Sequence, residues 1–210
     1  MNLSHMTSSR RAFLKSSALL LGTTAQVPAI FLSTIAQAES LASGTVAFPQ
    51  SLVTGWEFNR ESFGGPWEVW NLPTACWSPI QIPHCFNEYD ACDPDTPAYR
   101  GQGWYRTTIT PANPFPNGRT LLHFGGAGQR TRVYTGEALM GSNTGGYNEF
   151  LVDITNAPQI AGGEIQLAIL CDNSRDPHAI PSDASDFNLY GGIYRHLWLV
   201  YVPAVSIELV

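Results

Sequence analysis

Glu164-Ile165-Gln166-Leu167-Ala168-Ile169-Leu170-Cys171 decides the fold class. In an extended chain successive side chains point to opposite faces, so Ile165, Leu167, Ile169 and Cys171 share one side and Glu164, Gln166 and Ala168 the other. The pattern predicts a half-buried strand whose outer face is wet. Downstream, Ile193 to Val202 (IYRHLWLVYV) sets Leu197, Leu199 and Tyr201 against Tyr194, Trp198 and Val200. Apolar residues on both faces predict a central strand, deep in its sheet.

Upstream, further short strands are predicted at Trp56–Asn59, Trp67–Val69, Ile80–Ile82, Gly103–Thr110, Arg119–Gly125, Thr131–Thr135, Ala138–Met140 and Glu149–Ile154. No window beyond residue 40 sustains a helical period, and Pro, Gly and Asn punctuate the chain at short intervals. The fold class is therefore all-β, a two-sheet antiparallel β-sandwich. Gly145-Gly146 and Gly136 fit turns that need positive φ, and Gly191-Gly192 fits a close approach of backbone. The connections Asn87 to Gly103 and Asp172 to Gly192 far exceed the usual length of about 4 to 6 residues, which points to function.

The N-terminus carries a different signal. Ser9-Arg10-Arg11-Ala12-Phe13-Leu14-Lys15 precedes an apolar stretch from Ala18 to Ile35 and then Ala36-Gln37-Ala38. Charged, apolar and small-residue regions in that order form a signal peptide with cleavage after Ala38, and the paired Arg10 and Arg11 match the twin-arginine export signal. Gly22, Thr23, Thr24, Gln26 and Pro28 interrupt the stretch, which argues against a membrane anchor. The expected layout is a signal at 1–38, an N-terminal extension at 39–54, the sandwich at 55–204 and the start of a further strand or domain at 205–210. The expected destination is periplasmic or secreted, with no membrane partner for the mature form.

The chain has 11 basic and 17 acidic residues. Removing the signal leaves eight basic residues against the same 17, a formal charge of −9, and no lysine. Such a surface is a poor binder of polyanions, which excludes nucleic acid as a partner. About 170 residues suffice for one domain with a real core. Cys76, Cys85, Cys92 and Cys171 are expected as free, mostly buried thiols, although Cys85 and Cys92 are spaced so that they could pair across a loop. No Cys/His spacing supports a metal and no cofactor is expected; Asp93-Pro94-Asp95 reads as a turn.

Four ordered motifs carry a resemblance. They are Ile82-Pro83-His84-Cys85-Phe86-Asn87-Glu88-Tyr89-Asp90, then Tyr99-Arg100-Gly101-Gln102-Gly103-Trp104-Tyr105-Arg106, then Gly145-Gly146-Tyr147 with Phe150 and Asp153-Ile154-Thr155, then Asp186-Phe187 with Tyr190-Gly191-Gly192-Ile193-Tyr194-Arg195. In this order they resemble the N-terminal, galactose-binding-like jelly-roll domain of family 2 glycoside hydrolases, in its β-galactosidase branch. The resemblance runs from about Trp56 to Tyr201. One departure is Thr135-Gly136 where the family usually has Asn-Gly, which weakens the expectation of a tight type I′ turn.

The resemblance implies site residues. Asp186 matches an Asp that reaches from this domain into the catalytic pocket, where a carboxylate accepts charge-assisted bonds from vicinal sugar hydroxyls. Tyr99, Arg100 and Gly101 match a second loop to that pocket; Asn87 and Asp90 are weaker candidates. Arg106 and Arg195 read as structural ion-pair partners, and an Arg stacked on an aromatic ring explains Arg106 equally well. Asp153-Ile154-Thr155 reads as a strand end whose side chains satisfy backbone N–H groups. The implied partners are a β-galactoside-like carbohydrate and a missing catalytic α/β barrel. Glycoside hydrolysis needs two carboxyl groups about 5 to 9 Å apart, which the family carries on that barrel, so catalysis by this chain alone is not expected. The expected function is a non-catalytic sugar-binding domain of an exported hydrolase. The alternative is a free-standing lectin-like binder using Trp67, Trp70 and Trp77 as an aromatic platform, where core packing is the plainer role for those rings.

Overall fold

A computed structural model describes residues 48–92, 95, 97–179 and 188–206. The signal segment, Asp186 and residues 207–210 lie outside the described residues. The strands are β1 (Gln50–Ser51), β2 (Trp56–Asn59), β3 (Ser78–Ile80), β4 (His84–Cys85), β5 (Gln102–Ile109), β6 (Arg119–Phe124), β7 (Arg130–Thr135), β8 (Ala138–Thr144), β9 (Phe150–Asp153), β10 (Ile165–Asp172), β11 (Gly192–Ile193) and β12 (Leu197–Val202). They form a four-stranded sheet in the order β1-β12-β6-β9 and a six-stranded sheet in the order β3-β2-β5-β10-β7-β8. A short β11-β4 pair accompanies them. All pairings are antiparallel. The all-β sandwich expected from the sequence is the observed architecture. β1 lies within the stretch read as an N-terminal extension, and the next residue, Leu52, enters the core.

The period-2 reading of β10 holds on the inner face. Ile165, Leu167, Ile169 and Cys171 are buried in the main core with Tyr105, Leu122, Phe124, Val152, Leu197 and Leu199. Its outer face is not wet as expected: Ala168 and Leu170 are buried beneath a second core of Val69, Trp77 and Trp104, flanked by Phe63, Trp70 and Tyr134. The lid over this face is helix α1 (Pro66–Asn71), where the sequence pattern predicted a strand at Trp67–Val69. Pro66 at the helix start supplies the φ that a first turn needs, and Glu68 sits favourably at the positive end of the helix. Trp67-Glu68-Val69 alternates apolar and polar, which in a strand would put Trp67 and Val69 on one face; the helical turn sets them on opposite sides, Trp67 exposed and Val69 buried.

The stretch Ile193 to Val202 is also divided. Gly192–Ile193 pairs with His84–Cys85, whereas Leu197–Val202 runs between β1 and β6 in the four-stranded sheet. β12 is internal to its sheet, but only Leu197 and Leu199 are fully buried; Trp198 and Val200 on the outer side are half-buried. Strand β3 begins two residues before the expected Ile80 and ends there, while Ile82 binds by its N–H to the Val53 carbonyl. All four cysteines are free. Only Cys171 is fully buried; Cys85 is half-buried and Cys76 and Cys92 are exposed, contrary to the expectation of mostly buried thiols.

Turn and close-approach residues behave as read. Gly145 and Gly136 have φ of 124° and 56°. Gly192 has φ 117°, and a Cβ on Gly191 would collide with the Phe86 ring, so both positions need glycine. Asp153 Oδ1 accepts from the Thr155 N–H at 2.9 Å and from its hydroxyl at 2.5 Å. Burial pushes the Asp153 carboxyl up, but these bonds and Arg119 outweigh it and hold it below its ordinary value.

Candidate functional site

The long connections meet where β5 begins and β10 ends. Here two asparagines, each 1% exposed, tie three loops together. Asn173, immediately after β10, donates from Nδ2 to the carbonyls of Tyr99 (3.1 Å) and Leu189 (2.9 Å) and accepts at Oδ1 from the Gly101 N–H (2.8 Å). Asn87 donates to the Leu189 carbonyl at 3.0 Å and accepts from the Gly191 N–H at 2.8 Å. Asn188 donates to the Asn87 carbonyl at 3.2 Å. Buried backbone groups that no strand can pair are thus satisfied by side-chain amides, which carry donor and acceptor at once.

The expected site residues Tyr99, Arg100 and Gly101 lie in this cluster. The Tyr99 N–H donates to Asp90 Oδ2 at 2.6 Å, its hydroxyl donates to the Gln102 carbonyl at 2.9 Å, and its ring stacks edge-on against Phe86. Arg60 lies over the Tyr99 ring, 4.7 Å from its centroid. Burial pushes the Tyr99 hydroxyl above its ordinary value and the Arg60 charge opposes that. Arg100 Nη1 is buried with no hydrogen-bond partner among the described residues. Asp186 itself lies outside the described residues, but both flanks of its loop are held. Asn87 and Asn173 fix the side at 188–191, and Arg130, bonded to Asp172 (3.1 Å) and Asp176 (2.9 Å), fixes the other.

A hollow of about 300 Å³ opens beside the cluster, lined among others by Arg60, His84, Glu88 and Tyr89. His84 Nδ1 meets the Tyr105 hydroxyl at 2.9 Å. Burial pulls the His84 ring below its ordinary pKa, with the Glu88 charge acting the other way, so the neutral ring is favoured. Neutral amides, hydroxyls and a guanidinium can hold a polyhydroxylated ligand by hydrogen bonds; no group of three or more potential metal ligands occurs among the described residues.

Other expectations separate from this cluster. Arg106 is structural: it donates to Glu57 at 2.7 Å and to the Val69 carbonyl at 2.8 Å, and lies 4.3 Å from the centroid of the Trp77 ring. Arg195 is structural too, yet it bonds the carbonyls of Gly125 (3.2 Å) and Tyr147 (3.1 Å) in place of an acid. Trp67, Trp70 and Trp77 form no common platform, since Trp67 is exposed, Trp70 half-buried and Trp77 buried under Arg106. Asn173 went unnoticed in the sequence. Its one signal is position, an amide directly after the best strand and at the start of the longest loop.

Residues 57–203 match the family described as glycosyl hydrolases family 2, sugar binding domain. The chain belongs to glycosyl hydrolase family 2. Within that family it is similar to a putative beta-glucuronidase of Formosa agariphila, 39% identical over 133 residues that make up 63% of this chain and 16% of the relative. It is also similar to a beta-galactosidase of Thermoanaerobacter pseudethanolicus, 31% identical over 145 residues, 68% of this chain and 18% of the relative. Among solved structures, Bacteroides uniformis beta-glucuronidase 3 matches with a TM-score of 0.70 and 47% identity, covering 75% of this chain and 23% of that one. The chain thus spans less than a fifth of the length of these two relatives. Family 2 members of both names are among them, so the β-galactosidase branch is not singled out.

Proposed function

We propose that this family 2 chain positions a β-linked sugar for hydrolysis by a catalytic barrel, after twin-arginine export and cleavage following Ala38. The observation that carries the reading is the Asn173 clamp, which draws Tyr99, Arg100 and Gly101 together with the flank of the Asp186 loop. In this reading the Asp186 carboxylate accepts from vicinal sugar hydroxyls and Tyr99–Gly101 line the same pocket. Catalysis belongs to a carboxyl pair on the barrel.

Names among the relatives divide the sugar between a β-glucuronide and a β-galactoside. Arg100 favours the β-glucuronide, because its Nη1 has no acceptor among the described residues and a uronate carboxylate supplies one. Residues 48–206 grafted in place of the corresponding domain of Bacteroides uniformis beta-glucuronidase 3 test both points. The chimera is expected to hydrolyse nitrophenyl β-glucuronide, with Asp186→Ala lowering kcat/KM about a hundredfold. Undiminished activity in that variant would remove the positioning role. Export is tested by Arg10→Lys with Arg11→Lys, which should retain the chain in the cytoplasm; unimpaired export would exclude the twin-arginine route.

A further inference from the structure

On the helix-covered side, beside the β2–β5 ladder near the end of β5, lies a second hollow of about 540 Å³. Its size falls within the about 300–1,000 Å³ of small-ligand pockets. Thr54, Thr74 and Thr108 bring hydroxyls to it, Trp70 an aromatic surface, and Glu57 and Arg106 an ion pair. The Trp70 ring is held in place by the bond from its Nε1 to the Gly136 carbonyl at 3.3 Å. Arg106 is held on three sides, by Glu57, by the Val69 carbonyl and by the Trp77 ring. Glu57 commits only Oε2 to Arg106, and its side chain remains 33% exposed. Its Oε1 has no hydrogen-bond partner among the described residues.

We infer that this hollow is a second carbohydrate site, for a neutral β-linked saccharide. A carboxylate oxygen with a fixed cation beside it accepts from one hydroxyl while the guanidinium edge donates to the next, the pattern that vicinal diols satisfy. Threonine hydroxyls serve as donor or acceptor, and the Trp70 face covers the apolar side of a pyranose ring. The ion pair is locally neutral, so a charged sugar gains nothing here and meets the Glu57 carboxylate, whereas a neutral sugar meets only hydrogen-bonding groups. The site stands apart from the loop cluster, because Glu57 and Arg106 are paired on the β2–β5 ladder and Tyr99–Gly101 precede the other end of β5. It therefore does not depend on the proposed role of Asp186.

Saturation-transfer NMR of the full chain with cellobiose and lactose tests it. Transfer to both sugars is expected from Asp186→Ala, in which the loop contact is removed, and should vanish when Thr108→Arg, which fills the hollow from an exposed position, is added to it. Glu57→Gln, which preserves shape, should weaken binding about tenfold in titrations with cellobiose. Absence of transfer from Asp186→Ala, or transfer retained when Thr108→Arg is added to it, overturns the assignment. Methyl β-glucuronide supplies the charge comparison: binding at this hollow equal to that of cellobiose in Asp186→Ala would overturn its preference for neutral sugars.

Discussion

At the loop end, three segments of backbone are tied by the neutral amides of Asn87 and Asn173; on the outer face of the six-stranded sheet, helix α1 is tied by the Arg106 guanidinium and a group of aromatic rings. Both places hold irregular chain against a sheet edge or face, with opposite means. The helix is fastened mainly by apolar area, since Trp104 is 1% exposed and Val69 fully buried. The loops bury Phe86, Ala179 and Leu189, but the course of their backbone is set by directional bonds. A non-directional fastening tolerates small shifts of what it holds, whereas a directional one fixes distances. The region proposed to position a sugar for hydrolysis is the one fixed by directional bonds.

The largest effect expected on either side is that of Trp104→Ala, which opens a cavity under α1 and should cost about 3–5 kcal/mol in urea denaturation. Hydrogen exchange of the Gly101 and Gly191 amides, measured relative to global stability, should not change. If they open together with α1, the two fastenings are one unit and the comparison fails. Asn173→Ala comes next, because it strands the Gly101 N–H and the Tyr99 carbonyl, while the Leu189 carbonyl keeps its bond from Asn87. Its expected cost is about 2–3 kcal/mol, with selectively faster exchange at Gly101 and an unchanged tryptophan fluorescence spectrum. A cost near zero would mean that the amide is incidental.

The smallest effect expected is a pH dependence from His84. Its folded-state pKa lies below that of the free side chain, so between the two values the unfolded chain binds the extra proton. Stability is therefore full above the ordinary histidine pKa and declines as pH falls through and below it, levelling off once the folded-state ring is protonated. Denaturation curves at pH 8 and pH 5.5 should show a larger difference for the wild-type chain than for His84→Gln. Equal differences would show that the contact with Tyr105 is indifferent to protonation.

Much of the fold was legible because alternation reports burial directly. In β10 the inner-facing Ile165, Leu167 and Ile169 could lie only on a core. The outer face was misread because Ala168 and Leu170 are covered by residues about a hundred positions away, and a local pattern carries no trace of a distant lid. The Pro66–Asn71 turn was misread for a related reason: Trp67-Glu68-Val69 alternates apolar and polar, and so short a helix does not show its own period. At the site, the loop lengths and the glycines at 191 and 192 marked the place. The asparagines were not legible as a clamp, since an amide's role depends on which unpaired backbone groups tertiary structure brings to it.

The Asn173 clamp reads its neighbours only through main-chain atoms of residues 99, 101 and 189. Those atoms are the same whatever side chain a residue bears. The identity of residue 100 can therefore drift over generations, or be randomised at the bench, while the path of the loop persists. On the proposed reading of the site, such a loop is an exchangeable cassette: a substitution at residue 100 changes the group offered to a ligand without redesigning the scaffold that presents it.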